Sequence, residues 1–149
     1  MPQSSVESIF LHGPKGEAMT RVDEATARAG QGLEGDRYFK PEGNEPDREI
    51  TLIEAEAVEA LARDEKVPFE VAESRRNVVT RGVALNHLVG REFSVGAARL
   101  RVIRLCEPCD HLQKLTRPGV LKGLLHRGGL RARIVADGPI RVGDPVVMD

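Results

Sequence analysis

The sequence predicts a mainly β fold: a β-barrel with a few short helices packed at its ends, α+β by content. Three observations lead there. Short alternating apolar runs recur along the chain, punctuated by 15 glycines and 9 prolines. One segment alone carries a clear helical apolar stripe. No repeat or low-complexity tract interrupts the 149 residues, which suffice for one domain, residues 1–149, with its own core.

Ser4 to Leu11 alternates as a first strand with Val6, Ser8 and Phe10 on one face, and Gly13-Pro14-Lys15-Gly16 reads as a turn. Met19 to Ala27 is polar and mixed, an irregular extended segment. Gly30-Gln31-Gly32-Leu33-Glu34-Gly35 is a literal G-x-G-x-x-G, but no apolar strand precedes it and no helix follows. Its glycines serve a tight loop with Asp36 and Arg37 on the far side. Residues 40–47 form a polar loop. A short strand, Glu49 to Ile53, runs into the clear helix, Glu54 to Glu65, whose stripe is Ala57, Val58, Leu61 and Ala62. Arg75 to Gly82 reads as a strand, Ala84 to Val89 as a helical turn, and Phe93 and Val95 as a short strand. Ala98 to Leu105 is the strand that leads to the cysteines. Gly119 to His126 is a short helix ended by Gly128-Gly129, and strands at Leu130 to Ala136, Ile140 to Val142 and Val146 to Met148 close the chain.

The net charge of −1 hides an asymmetry: residues 1–74 hold 8 Lys and Arg against 17 Asp and Glu, and residues 75–149 hold 14 against 6. Either the halves attract each other or the basic half receives an anionic ligand. Aromatics make up 3% of the chain and tryptophan is absent, so no stacking motif points to nucleic acid. No apolar run is long enough for a membrane helix, and the N-terminus lacks a signal-peptide layout. With two cysteines and no disulfide framework, the expectation is a soluble cytoplasmic protein.

The chemistry centres on Arg104-Leu105-Cys106-Glu107-Pro108-Cys109-Asp110-His111, where a strand ends and a helix begins. Pro108 stops strand pairing and Asp110 reads as the helix N-cap, which puts Cys109 beside unpaired N–H groups that favour a thiolate. Four readings stand open. The C-x₂-C spacing suits structural zinc but lacks two further ligands. A thioredoxin-type redox pair lacks its βαβ surroundings. The cysteines can also pack simply as small apolar residues. Finally, a lone thiolate in a basic pocket suits a soft metal centre or a persulfide.

Several segments, in order, resemble one known family. They are Gly32-Leu33-Glu34-Gly35-Asp36-Arg37-Tyr38, Arg75-Arg76-Asn77-Val78-Val79-Thr80-Arg81-Gly82, Leu85 to Gly90, Leu105 to Cys109, His126 to Ala132, and Gly138 to Asp144. Together they are similar to the MOSC domain, the molybdenum cofactor sulfurase C-terminal domain. The resemblance implies a β-barrel-rich fold that binds the molybdopterin form of the molybdenum cofactor. Cys109 takes the position of the family's molybdenum ligand or sulfane-sulfur acceptor. The pterin carries a phosphate, which calls for cationic or N–H donors. Arg76, Asn77 and Thr80 match the cofactor-facing segment, and the Asn77 amide is a candidate reader of the pterin edge. Strand alternation turns Arg75 the other way and leaves open which arginine faces inward. Lys15 and Arg37 are further phosphate candidates. His126 and Arg127 either line the site or cap the short helix, and His111 starts a helix.

Two chemistries are implied. One is molybdenum-dependent reduction of N-hydroxylated compounds, an oxidoreductase activity that needs an electron-donating partner because the chain has no flavin, haem or iron–sulfur motif. The other is sulfur transfer through a Cys109 persulfide, fed by a cysteine desulfurase in trans, since no pyridoxal phosphate site lies within this chain. A carrier that only holds the cofactor is the non-enzymatic alternative.

Overall fold

Alternating runs and their glycine and proline punctuation become eleven strands and three short helices in a computed structural model that describes residues 4–148. The strands are β1 (Ser5–Leu11), β2 (Thr20–Val22), β3 (Glu24–Arg28), β4 (Gly32–Leu33), β5 (Ile50–Glu54), β6 (Val78–Arg81), β7 (Glu92–Val95), β8 (Ala98–Leu105), β9 (Leu130–Ala136), β10 (Gly138–Arg141) and β11 (Val146–Met148). The helices are α1 (Ala55–Asp64), α2 (Asp110–Leu115) and α3 (Val120–Gly123), with 3₁₀ turns at Pro46–Arg48, Val71–Ser74 and Leu85–Leu88. The segment read as irregular, Met19 to Ala27, instead contributes β2 and most of β3. Their partners are β1 (Ile9↔Val22) and the distant β10 (Ala25↔Ile140), and no local pattern announces such pairing.

The expected barrel is not supported: the sheets are not closed. Eight strands form one sheet in the order β11-β7-β8-β9-β5-β6-β1-β2, and β10-β3-β4 form a second. The chain entering β11 meets β1 at an isolated bridge between Ser5 and Pro145, through Val146 N to Ser4 O (2.9 Å) and Val6 N to Asp144 O (2.9 Å), with Gly143 N to Val6 O (2.8 Å) beside it.

Two apolar clusters hold the fold together. The larger gathers Val6, Ile9, Leu52, Val78, Phe93, Leu100, Leu130 and Ile134 from across the large sheet. The smaller lies where helices cover that sheet and joins Phe10, Ile53 and Val79 to Val58 and Leu61 of α1, Leu112 of α2 and Val120 of α3. A register shift between Val6 and Ser8 breaks the simple alternation of β1, so Val6 and Ile9 face one cluster and Phe10 the other. In α1, Ala57, Val58 and Leu61 are buried as the stripe requires, whereas Ala62 is exposed.

Candidate functional site

β8 delivers the cysteines. Its pairing with β9 extends one step past Leu105, where the Cys106 N–H donates to Gly129 O (2.7 Å). Pro108 then ends any ladder. Cys109 is itself the N-cap of α2, with extended φ −134° and ψ 169°, and its carbonyl accepts the first helical bond from Gln113 N (3.1 Å). Asp110, expected as the cap, is the first helical residue. Leu112 roots this short helix in the smaller core. A Cβ on Gly128 would collide with the Cys106 carbonyl oxygen, so only glycine lets the two segments approach this closely. The two thiols are both free but differ in burial: Cys106 is buried and Cys109 exposed.

Both cysteines line a cavity of about 390 Å³. Its walls come from the end of β1 and the following turn (His12, Lys15, Gly16), the segment after β4 (Asp36, Arg37, Tyr38), and the approach to β5 (Asp47, Arg48, Thr51). The remaining walls are Arg75, Arg76 and Asn77 before β6, Arg104 of β8, His111 and Leu112 of α2, and Arg131 of β9. Seven lysines and arginines thus face two aspartates. Some of this charge is answered: Arg104 Nη2 donates to Asp47 Oδ2 at 3.1 Å. Arg76 is not answered by any carboxylate among the described residues. Its guanidinium is buried, with Nε donating to Gly128 O (2.8 Å), Nη1 to Ser74 O (3.0 Å) and Nη2 to Cys106 O (3.1 Å). Burial pushes Arg76 below the usual arginine range, against the pull of the nearby Cys106 thiol, and it remains a cation. Arg131 donates through Nη1 to Asp47 O (3.1 Å), while its buried Nε has no partner among the described residues.

The question of Arg75 against Arg76 resolves as both. Alternation fails as a guide because Arg75 is not extended. It closes the Val71–Ser74 turn in the left-handed region (φ 59°, ψ 30°), and β6 begins only at Val78. Arg75 stays at the rim, with Nη1 donating to Glu17 O (2.7 Å). Asn77 lines the cavity, but its amide is spent on the scaffold. Oδ1 accepts from Thr51 N and Oγ1 (3.1 and 3.2 Å), and Nδ2 donates to Phe10 O (3.0 Å) and Asp36 Oδ1 (3.1 Å). Its role is to position the wall rather than to read a ligand edge.

Lys15, Arg37, Arg75, Arg76, Asn77 and Cys109 are therefore brought together. Thr80 and Arg127 are not. Thr80 lies fully buried in β6, three residues past the last cavity residue of its segment, and Arg127 is exposed away from the wall. His126 also turns away: its N–H and Nδ1 each lie 2.7 Å from the Glu107 carboxylate. Sequence reasoning passed over His12, Arg48, Arg104 and Arg131. The only available signal was their place at strand ends or beside glycine-rich turns.

This geometry narrows the four cysteine readings. Among the described residues no group of three or more His, Cys, Asp or Glu is arranged to hold a metal, so structural zinc finds no ligand set. The packing reading fits Cys106 and fails for Cys109. Beside these, and without deciding the redox-pair reading, stands an exposed thiol at a cationic hollow, an arrangement suited to an anionic ligand with an electrophilic or soft centre. The MOSC domain model matches residues 34–147.

The chain belongs to the MOSC domain family.

Solved structures carry the same fold. The YuaD protein of Bacillus subtilis superposes with a TM-score of 0.82 at 18% identity, covering 97% of this chain and 94% of that one. YiiM of Geobacillus stearothermophilus gives 0.74 at 20% identity over 98% and 75%. YiiM of Escherichia coli gives 0.71 at 21% over 99% and 70%. No curated protein sequence matches the chain significantly. The MOSC family is associated with the molybdenum cofactor. No helix among the described residues of this MOSC domain is long and apolar enough to cross a membrane.

Proposed function

We propose that this MOSC domain binds the molybdenum cofactor in the cationic cavity, with Cys109 as the protein sulfur that meets the metal or carries a transferable sulfur. One juxtaposition carries the reading: an exposed thiol lines the same hollow as seven cationic side chains. The residues fit the group. Molybdopterin ends in a phosphate, and Arg76 is a buried cation with only carbonyl partners, while the Arg131 Nε donor has none among the described residues. The hollow is of the size small-molecule sites take, at the lower end of roughly 300–1,000 Å³.

Lys15, Arg37, Arg75, Arg76 and Arg131 would hold the anionic cofactor, and Cys109 would offer its thiolate to molybdenum. When bound, the cofactor supplies two-electron redox chemistry, here reduction of an N-hydroxylated compound with electrons from a partner protein. The chain's own residues bind and orient: Arg76 braces the Cys106 carbonyl, and α2 keeps Cys109 at the rim. The exposure of Cys109 favours a second reading, sulfur transfer. There the Cys109 thiolate attacks the outer sulfur of a desulfurase persulfide, the donor S–S bond breaks, and the donor leaves as a thiol while Cys109 keeps the sulfane sulfur.

The test is molybdenum and pterin analysis of the native-source protein beside Cys109→Ala, with an N-hydroxy-reductase assay and intact mass for persulfide. Bound molybdenum with turnover, both lost in Cys109→Ala, supports the reductase. Bound molybdenum without turnover supports a carrier, and a Cys109 persulfide without molybdenum supports sulfur transfer. Cys109→Ala with the metal content and activity of the parent protein, together with no persulfide on Cys109 of the parent, overturns all three.

A further inference from the structure

His12 directly follows β1 and belongs to none of the motifs discussed above, yet it ties three parts of the cavity wall together. Its backbone N–H donates to Asp36 Oδ1 (2.6 Å), its ring Nδ1 lies 2.9 Å from the same oxygen, and its Nε2 lies 3.0 Å from the carbonyl oxygen of Arg75. Both ring nitrogens therefore face oxygen acceptors. Asp36 brings no proton. Burial pushes its carboxyl up, but the bonds from His12 and the Tyr38 N–H hold it below the usual carboxylate range. A carbonyl brings none either. Neutral imidazole has one N–H and serves only one of these oxygens, whereas imidazolium serves both.

The residue held at the far end is conformationally unusual. Arg75 is a non-glycine residue in the left-handed region, which costs on its own and persists only where its surroundings hold it. Its guanidinium bonds to Glu17 O, just past the turn that carries Lys15. Arg75 and Gly16 also separate the cationic cavity from a second hollow of about 320 Å³, and both residues line both spaces.

We infer that His12 is a charge-dependent clamp on Arg75, a positioning residue whose protonation sets how tightly the cavity holds a phosphate-class dianion. The inference rests on the anion-binding reading above. When the ring loses a proton, either Asp36 or the Arg75 carbonyl loses its donor. The cavity then loses one positive charge and, where the carbonyl is released, one of the bonds that hold the Arg75 backbone in place, and both changes weaken anion binding. The groups facing the ring are Asp36 and the edge-on Tyr38 ring from the segment after β4, and the Arg75 carbonyl and Asn77 Nδ2 (3.5 Å) from the segment entering β6. Lys15, Arg37 and Arg76 share the cavity and keep their charge across the neutral range.

The experiment titrates sulfate, whose charge is constant in this range, into cofactor-free full-length protein by calorimetry from about pH 5.5 to 8.5. A Cys109→Ser background removes ionisation of the exposed thiol, leaving only the buried Cys106 thiol in the wall. The expected result is a roughly tenfold loss of affinity as pH rises, the scale of one charge-assisted contact. His12→Asn should be weak and flat with pH, and His111→Asn, which removes the other cavity histidine, should keep the step. Ring ¹⁵N shifts of His12 should report loss of one proton over the same interval. A pH-flat affinity in the parent protein, a step that survives in His12→Asn, or a ring that stays neutral throughout overturns the clamp while leaving the anion site standing. Sulfate that fails to bind at any pH overturns both the clamp and the anion-binding reading.

Discussion

Cys106 and Cys109 sit three residues apart and meet opposite environments, because Pro108 turns the chain out of the sheet between them. The difference is measurable. Cys109→Ser should leave chemical-denaturation stability within about 0.5 kcal/mol, as exposed substitutions do. Cys106→Ser should cost about 1–2 kcal/mol, because it buries a hydroxyl in place of a thiol. Asp36 makes a second single-residue case. It accepts from His12 N, the His12 ring, Tyr38 N and Asn77 Nδ2, and its carboxyl lies below the usual range in the folded protein. A depressed folded value means stability that is present above the unfolded-state pKa and lost as pH falls through the folded one. Thermal melts should therefore show a drop in Tm from about pH 5 toward pH 3 that Asp36→Asn, already destabilised at neutral pH, shows less steeply. In the sequence, Asp36 was visible only as the far side of a glycine loop and His12 carried no signal. Their meeting spans 24 positions and depends on the segment after β4 folding against the chain that leaves β1, where Arg37 N donates to His12 O (3.0 Å).

At the scale of elements, the segments with self-contained patterns were legible. β8, β9 and β11 have the bounds that alternation and turn residues give them, and α1 differs from its expected span by one residue at each end. The segment Arg75-Arg76-Asn77 was not legible, since a left-handed residue before a strand breaks the alternation that would orient the arginines. Gly128-Gly129 was read only as a helix terminator. In the structure it is the close contact that seats the cysteine segment against β5: a Cβ on Gly129 would collide with the Leu52 carbonyl, at φ 100°. Gly129→Ala should thus cost about 3 kcal/mol or more by urea denaturation. Gly143→Ala, at φ 91° with open space around it, should cost only about 1 kcal/mol and serves as the comparison.

Over the whole molecule, the charge asymmetry is answered in part by pairing between the halves. Arginines of the basic half pair with carboxylates of the acidic half, as in Arg81 with Glu7 (2.7 Å) and Glu59 (2.6 Å) and Arg117 with Glu73 (2.6 Å). The cavity draws its cations from both halves, Lys15, Arg37 and Arg48 from one and Arg75, Arg76, Arg104 and Arg131 from the other. A buried carboxylate links the two sheets to this frame: Glu49 Oε1 accepts from Gly30 N (3.1 Å) beside β4 and from Ile134 N (2.9 Å) of β9. Burial pushes Glu49 above the usual glutamate range despite these donors. A raised folded value gives stability that is full below the unfolded-state pKa and falls as pH rises through the folded one. Glu49→Gln keeps an acceptor oxygen and removes that loss, so its Tm relative to the parent protein should be higher at about pH 7 than at about pH 4. A Tm difference independent of pH would contradict this assignment.

By itself the sequence determined the strand-rich composition, the single clear helix, the cysteine-bearing turn and enough ordered segments to resemble the MOSC domain. These are local: period, turn chemistry and short motifs are written within a few neighbouring residues. Only the tertiary structure decided that the sheets stay open, that Thr80 and Arg127 fall outside the cavity, and that His12, Arg104 and Arg131 fall within it. Those outcomes depend on which distant strands share hydrogen bonds and on where one left-handed residue redirects the chain, and no window of neighbouring residues contains either.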